Sequence, residues 1–250
     1  MDKNNPIYGR LIPISLDQAK DILQRGDAAY IIPSMLDKLQ PCRVRVEQDD
    51  QGCFDTRADY EHLGTMITFD YDGLEIGDRT YSFEELCAEY EFVKKKENVY
   101  IKPLWIYNHS GYSLHFDRVD QWDSGQIGFI YATKKETFDF FGERATEDNW
   151  QQLAQEEFEE EIELMNLWLS GEIYQYRLDL RYIVECTRED GKRWWVENFE
   201  DFESCGGFYG WDIEKSGLLD DILSFAKDKQ FYTLEAPSVV EEKEDGTYDE

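Results

Sequence analysis

The chain has 250 residues, 41% of them hydrophobic and 15% aromatic, with 7 Trp, 16 Tyr and 15 Phe. That length allows one large domain or two small ones, and that much aromatic area excludes a disordered chain. With 55 acidic residues against 26 basic, the formal charge of -29 repels nucleic acid and anionic membrane and favours a basic protein partner, unless it serves only solubility.

SLDQAKDILQRG at 15–26 predicts a helix that Ser15 or Asp17 caps and Gly26 ends. AAYIIP at 28–33 reads as a strand stopped by Pro33, and CRVRVEQDD at 42–50 as a half-buried strand of alternating polarity. Residues 51–61 are polar and irregular. LGTMITFDYDGLEIG at 63–77 is a strand running into a turn at Asp72-Gly73, and SFEELCAEYEFVKKK at 82–96 a helix with a Ser82/Glu85 capping box. Strands follow at 99–111 and 126–134, joined by a loop that Trp122-Asp123-Ser124-Gly125 closes. KETFDFFG at 135–142 is a short helix. Residues 147–171 form the clearest helix, with Thr146 as its cap, Gly171 as its stop, and Trp150, Leu153, Phe158, Ile162 and Met165 near one face. A strand at 172–186 pairs with 191–199 across Asp190-Gly191. ESCGGFYGW at 203–211 reads as a Gly-rich turn, 214–228 as a last helix, and the chain from Pro237 as a polar tail.

Strands and helices alternate without a steady βαβ period. The expected fold is therefore α+β: a mixed, largely antiparallel sheet with flanking helices, one of them long and acidic. The expected division is a small N-terminal helix-strand element over 1–40, a main domain over 41–236 and an acidic tail over 237–250. Cys42, Cys53, Cys87, Cys186 and Cys205 are odd in number and lack a CxxC pair, which fits a reducing cytoplasm. MDKNNPIYGRLIPIS has no long apolar run, so neither a signal peptide nor a membrane span is expected. GxxxxGK[ST] and GxGxxG are absent, and direct nucleic-acid binding is not expected.

His62, His109 and His115 do not make an HxH or HxxxH set, so no metal and no cofactor are expected. His109, Ser110, Asp123 and Ser124 could in principle assemble a Ser-His-Asp device, with His109, Asp123 and Ser124 as its members. No Gly-x-Ser-x-Gly elbow accompanies them. The competing reading is architectural: Asp123 bonds its own turn, Trp122 packs the returning loop, and Gly125 and Gly128 admit close backbone. Cys205 reads as a buried thiol in a tight turn rather than a nucleophile. Glu156, Glu157, Glu159, Glu160, Glu161 and Glu163 crowd two turns of the long helix. Glu197, Glu200, Asp201 and Glu203 form a second acidic block, and the tail a third. A solvated face is the usual fate of such runs. The functional reading is a surface that imitates rows of phosphates, with Glu156, Glu157, Glu160, Glu161 and Glu163 in contact with a basic partner.

VEQDD at 46–50, RADYEHLGTMITFDYDGLEIGD at 57–78, PLWIYNHSG at 103–111, WDSGQIGFIYATKKE at 122–136, LSGEIYQY at 169–176 and CGGFYGWD at 205–212 occur in one order. In these motifs (LGTM, HSG, WDSGQxGxIY, GFYG) residues 44–220 resemble a family of small proteins encoded by phages, plasmids and other mobile elements. That resemblance carries no catalytic residues. It implies an intracellular accessory protein of the kind that counters host defence or modulates host machinery. Joined to the charge, it leads to the expectation of a non-enzymatic, DNA-mimicking inhibitor of a restriction or CRISPR nuclease, or similar defence protein, in the bacterial cytoplasm. The alternatives are a hydrolase or nucleotide-processing enzyme at His109, Asp123 and Ser124, and a non-catalytic regulatory module.

Overall fold

The computed structural model of the chain describes residues 9–36, 40–49, 56–71, 73–109, 111–235 and 239–241. In chain order the elements are β1 (Arg10–Ile14), α1 (Leu16–Gln24), β2 (Ala29–Pro33), β3 (Cys42–Gln48), α2 (Thr56–Asp59), β4 (Thr65–Phe69), β5 (Arg79–Tyr81) and α3 (Phe83–Val93). They continue with β6 (Val99–Asn108), β7 (Tyr112–His115), β8 (Ser124–Thr133), α4 (Lys134–Phe141), α5 (Trp150–Ser170), β9 (Ile173–Thr187), β10 (Arg193–Tyr209), α6 (Leu218–Phe225), β11 (Ala226–Glu235) and β12 (Val239–Glu241). The fold is α+β, with two largely antiparallel sheets and flanking helices.

The chain divides into two compact units, one of Met1–Gly52 with Ile173–Glu250, the other of Cys53–Glu172. This corrects the expected boundary near residues 38–41. β1, α1 and β2 are not a separate element, because β2 pairs with β3 and all three share a core with β9. Residues 37–39 of that expected boundary lie outside the described residues, as do Asp72, Ser110 and the tail carboxylates Glu242, Glu244, Asp245, Asp249 and Glu250.

In the first unit, seven strands run β1-β11-β2-β3-β9-β10-β12, every pair antiparallel. Alternation along CRVRVEQ sends Cys42, Val44 and Val46 into the core, where they register with Leu180, Leu178 and Tyr176. Ala19 and Leu23 of α1 and Leu218, Leu219 and Ile222 of α6 close that core. The intervening residues Arg43 and Arg45 reach the other face of the sheet. There both guanidiniums bond the buried Asp179 Oδ2, through Nη2 at 2.8 and 3.1 Å. Burial alone would raise the Asp179 pKa; the two arginines hold it below the ordinary value instead.

Three features of this unit depart from expectation. Residues 203–209 are strand rather than turn: Gly206 and Gly207 sit in a bulge between Cys205 and Phe208, with Gly207 N–H donating to Asp49 Oδ2 at 3.2 Å. The last helix covers only 218–225, because Gly217 at its N-cap is left-handed (φ 79°). Residues 226–235 are a strand, whose bulge places Asp228 and Lys229 at positive φ.

In the second unit, five strands run β5-β4-β8-β6-β7, with β4 and β5 parallel and the other pairs antiparallel. The sheet lies between two helices. Met66, Leu104, Ile106, Ile127 and Ile130 pack on Ala154, Phe158, Ile162 and Met165 of α5. Ile67, Phe129 and Tyr131, on the opposite side, pack on Leu86 and Val93 of α3. The capping boxes Ser15/Gln18 and Ser82/Glu85 start α1 and α3. α5 starts later than expected: Asn149 is its N-cap, and Thr146 offers its carbonyl to Trp150 N–H rather than its side chain. The short α2, β5 and β7 carry no hydrophobic period and were not expected.

Gly128 lets β8 pass close to β4, since a Cβ there would lie 2.1 Å from Ile67 O. Gly125 has no such constraint, with only Tyr71 at 3.8 Å. Gly128→Ala should therefore lower stability by about 3 kcal/mol, and Gly125→Ala by much less. Urea unfolding of the two variants checks this; equal midpoints would refute the close approach.

Candidate functional site

α5 organises the second unit through one buried charge. Glu161 lies three residues after Phe158 and four before Met165, on the helix's apolar side, and is 9% exposed. A carboxylate there needs a full set of partners. Its Oε1 accepts the amides of Leu63 and Gly64 at 3.0 and 2.7 Å, and its Oε2 meets Arg57 Nη1 at 2.5 Å. Arg57 also donates to the Gly64 carbonyl, and through Nε and Nη2 to Asp78 at 3.1 and 2.8 Å. Asp78 Oδ2 in turn accepts Met66 N–H at 2.6 Å. Burial works against the Arg57 charge, but the bonds to Asp78 and the Glu161 carboxylate outweigh it and raise the pKa. The LGTM segment is thus a backbone strap held by three side chains. Gly64 is required, since a Cβ there would meet Ile130 Cδ1 at 2.3 Å and Glu161 Oε2 at 2.9 Å.

Glu161 must therefore be removed from the expected contact residues, because it faces the core. Glu157 is corrected in part: it is half-buried. Burial, reinforced by the carboxylates of Glu161 and Glu160, pushes its pKa up to about 7. Glu156, Glu160 and Glu163 are exposed as expected, and Glu159 joins them. These four fall at i, i+3, i+4 and i+7, a single outward stripe. Gln152 and Gln155 extend it by donating to Glu156 and Glu159, both at 2.8 Å.

The second acidic block is partly engaged within the first unit, where Glu197 pairs with Arg181 and Asp201 with Arg177. Cys205 is exposed on β10, not buried in a turn. Partial burial, with Asp221 and Glu203 nearby, raises its pKa, which is the reverse of an activated nucleophile.

The loop before β8 brings two members of the candidate catalytic set together and leaves out the third. His109 Nδ1 lies 3.1 Å from Asp123 Oδ2. Ser124 Oγ instead accepts the Asp120 amide at 3.0 Å, so the nucleophile is not attached to the imidazole. The turn is capped by Asp120 rather than Asp123: its Oδ1 accepts Trp122 N–H and Asp123 N–H at 2.7 and 3.1 Å. Arg118 donates to the carbonyls of Asp120 and Gln121. Trp122 does not pack the loop. It stands 85% exposed on this clamped turn.

No family model, curated protein or solved structure matches the chain.

Among the described residues, no three of His, Cys, Asp and Glu gather as a group that could hold a metal ion. His62 touches Asp78 at 3.3 Å, His109 touches Asp123, and His115 bonds Ser113 Oγ at 2.9 Å, three separate places. No helix of the described residues is long and apolar enough to cross a membrane.

Two substitutions separate the inward and outward glutamates. Glu161→Ala strands Arg57 in the core and should cost about 3–5 kcal/mol, whereas Glu160→Gln should stay within about 0.5 kcal/mol; chemical unfolding distinguishes them. Glu157 gives a pH-dependent result. An unfolded Glu titrates near about 4.3, below the folded value, so stability from this group is complete at acid pH and lost as pH rises toward 7. Glu157→Gln should leave the unfolding free energy unchanged near about pH 4 and raise it near about pH 8, by a solvent-screened amount of about 1 kcal/mol. A gain that is the same at both pH values would contradict the raised pKa.

Proposed function

We propose that this chain is an acidic inhibitor from a phage or mobile element, acting in the bacterial cytoplasm by contact with a basic, nucleic-acid-binding defence protein. The observation that supports this reading is the stripe of Glu156, Glu159, Glu160 and Glu163, none of which forms an ion pair with a described residue. At about 1.5 Å of rise per residue, the stripe steps by about 4.5, 1.5 and 4.5 Å, a mean of about 3.5 Å of axis per carboxylate, close in linear charge density to the about 3.4 Å per phosphate of one DNA strand. Lys and Arg on the partner would meet carboxylates where phosphates belong, in a contact that salt weakens. Charge alone seldom makes a hot spot. Trp122, exposed on a turn whose backbone Asp120 holds, is the aromatic side chain that would serve as the anchor such an interface needs.

Among the described residues, the hydrolase reading has the His109–Asp123 pair, with Ser124 engaged elsewhere.

The test is capture from bacterial lysate on immobilised protein, eluted by rising salt, followed by affinity measurements with the partner identified. A basic nucleic-acid-binding protein displaced by both salt and duplex DNA is the expected catch. Reversal of the four stripe glutamates to Lys should remove binding while circular dichroism stays unchanged, and Trp122→Ala should weaken it by about 2 kcal/mol or more. Full affinity in the reversed variant would end the mimic reading. Loss of biological activity in His109→Ala and Asp123→Ala, with binding intact, would favour the hydrolase.

A further inference from the structure

Between the C-terminal half of α5 and β7 lies a cleft of about 500 Å³. Tyr112, Phe116 and Leu167 give it an apolar lining, and Glu159, Glu163 and Glu172 stand around it. Among the described residues no Lys or Arg lines it. The cleft is preformed. The Asn166 carboxamide, projecting from α5, accepts Leu114 N–H at 2.6 Å and donates to Leu114 O at 3.0 Å, which ties the helix to the edge strand as a neighbouring strand would. Glu163 makes no hydrogen bond or ion pair with a described residue, while Glu159 accepts from Gln155 and Glu172 from Ser170.

An apolar trough rimmed by carboxylates suits a ligand with a hydrocarbon stem and a cationic head. Lys and Arg have that form: their methylenes lie on apolar surface while the head stays at the rim, and an aromatic wall adds cation–π attraction. An anion or nucleotide would face three negative charges, with His115 the one basic side chain among the described lining residues. A second copy of this chain brings its own -29 charge and is repelled.

We propose that this cleft receives an arginine or lysine side chain from a basic segment of the protein partner. The inference rests on the partner reading above and adds the place where the partner's anchoring cation sits. Glu159 and Glu163 belong to both features, so a partner lying along the stripe reaches the cleft without leaving the helix. Specificity follows from the cleft: the stripe attracts any cation, whereas the trough accepts only one carried on a slender apolar stem.

The experiment uses the full chain, with a short arginine-glycine peptide as probe, its glutamine-glycine counterpart and spermine as controls, followed by amide NMR and calorimetry. The arginine peptide should shift the amides of Leu114, His115, Phe116 and Leu167 first and bind at least about tenfold more tightly than the glutamine peptide. Leu167→Arg or Ser170→Arg, each filling the cleft from within, should weaken that binding by about tenfold, whereas Glu84→Gln, on the exposed face of α3, should not. Ser170 is exposed, so its variant still reports if Leu167→Arg disturbs packing. Undiminished binding in Ser170→Arg, or shifts spread evenly over all acidic surfaces, overturns the cleft. If spermine binds the cleft and the peptide does not, a protein source is excluded. If the cleft variants bind normally but reversal of the stripe abolishes binding, the cleft falls and the charge-driven reading stands; if reversal has no effect either, both fall.

Discussion

Everything on the surface of α5 depends on one charge beneath it. The Arg57–Glu161 pair is buried on both sides, with each side chain 6% exposed. Such a pair survives only if the remaining donors and acceptors are satisfied. Here they are met by the Leu63 and Gly64 amides, the Gly64 carbonyl and Asp78. This fixes the rotation of the helix about its own axis. With residue 161 inward and 100° per residue, positions 156, 159, 160 and 163 must point outward. The stripe is therefore positioned by the core. A helix held only by Phe158, Ile162 and Met165 could tolerate some roll; one that must deliver a carboxylate to two backbone amides cannot.

The first unit uses the same device. Asp179 is buried between Arg43 and Arg45, and Arg181 beside it pairs with Glu197. Arginine suits these sites because its planar fork keeps its charge and supplies several donors at once. The consequence for the field of the molecule is direct. Bases are scarce in this chain, and several of them are engaged inside sheets and under helices. Each of these arginines is matched by carboxylates, so the clusters are neutral together and the net charge of -29 falls on the remaining surface.

Helix caps, strand alternation and the long amphipathic helix were readable from sequence because each is a local rule obeyed locally: Ser15 as a cap, Ser82 with Glu85, Cys42-Val44-Val46, Phe158-Ile162-Met165. What was hidden is non-local. β3 continues into β9, with Gln48 opposite Tyr174, and the whole second unit is inserted between them. No nearby residue announces such a pairing. β11 was concealed by Lys227-Asp228-Lys229, a polar run that resembles a helix end and is in fact a bulge. Glu161 was misplaced because a run of glutamates reads as one solvated face. Its position was legible all the same: it sits at i+3 from Phe158 and i−4 from Met165, and an arginine stands in the polar segment just before LGTM. The motif itself was visible as a pattern, but its reason, a glycine with no room for a Cβ between Ile130 and Glu161, appears only in three dimensions.

Glu157 connects the interior to the exposed stripe. It stands four residues before Glu161 and three before Glu160, each about one helical turn away, and both carboxylates add to burial in raising its pKa to about 7. The free molecule is therefore in an unfavourable electrostatic state around neutral pH: to ionise this carboxyl it must crowd a third charge beside two others, one of them already buried. A cation placed on the stripe relieves that crowding. On the proposed reading, binding of a basic partner there would release the Glu157 proton, so its affinity would rise with pH through neutrality while it fell with salt. The two dependences have different origins. Salt screens every carboxylate on the surface, whereas the proton reports on a single group whose environment is set by the buried Arg57–Glu161 pair. A partner that touched only the general negative field would show the first dependence without the second.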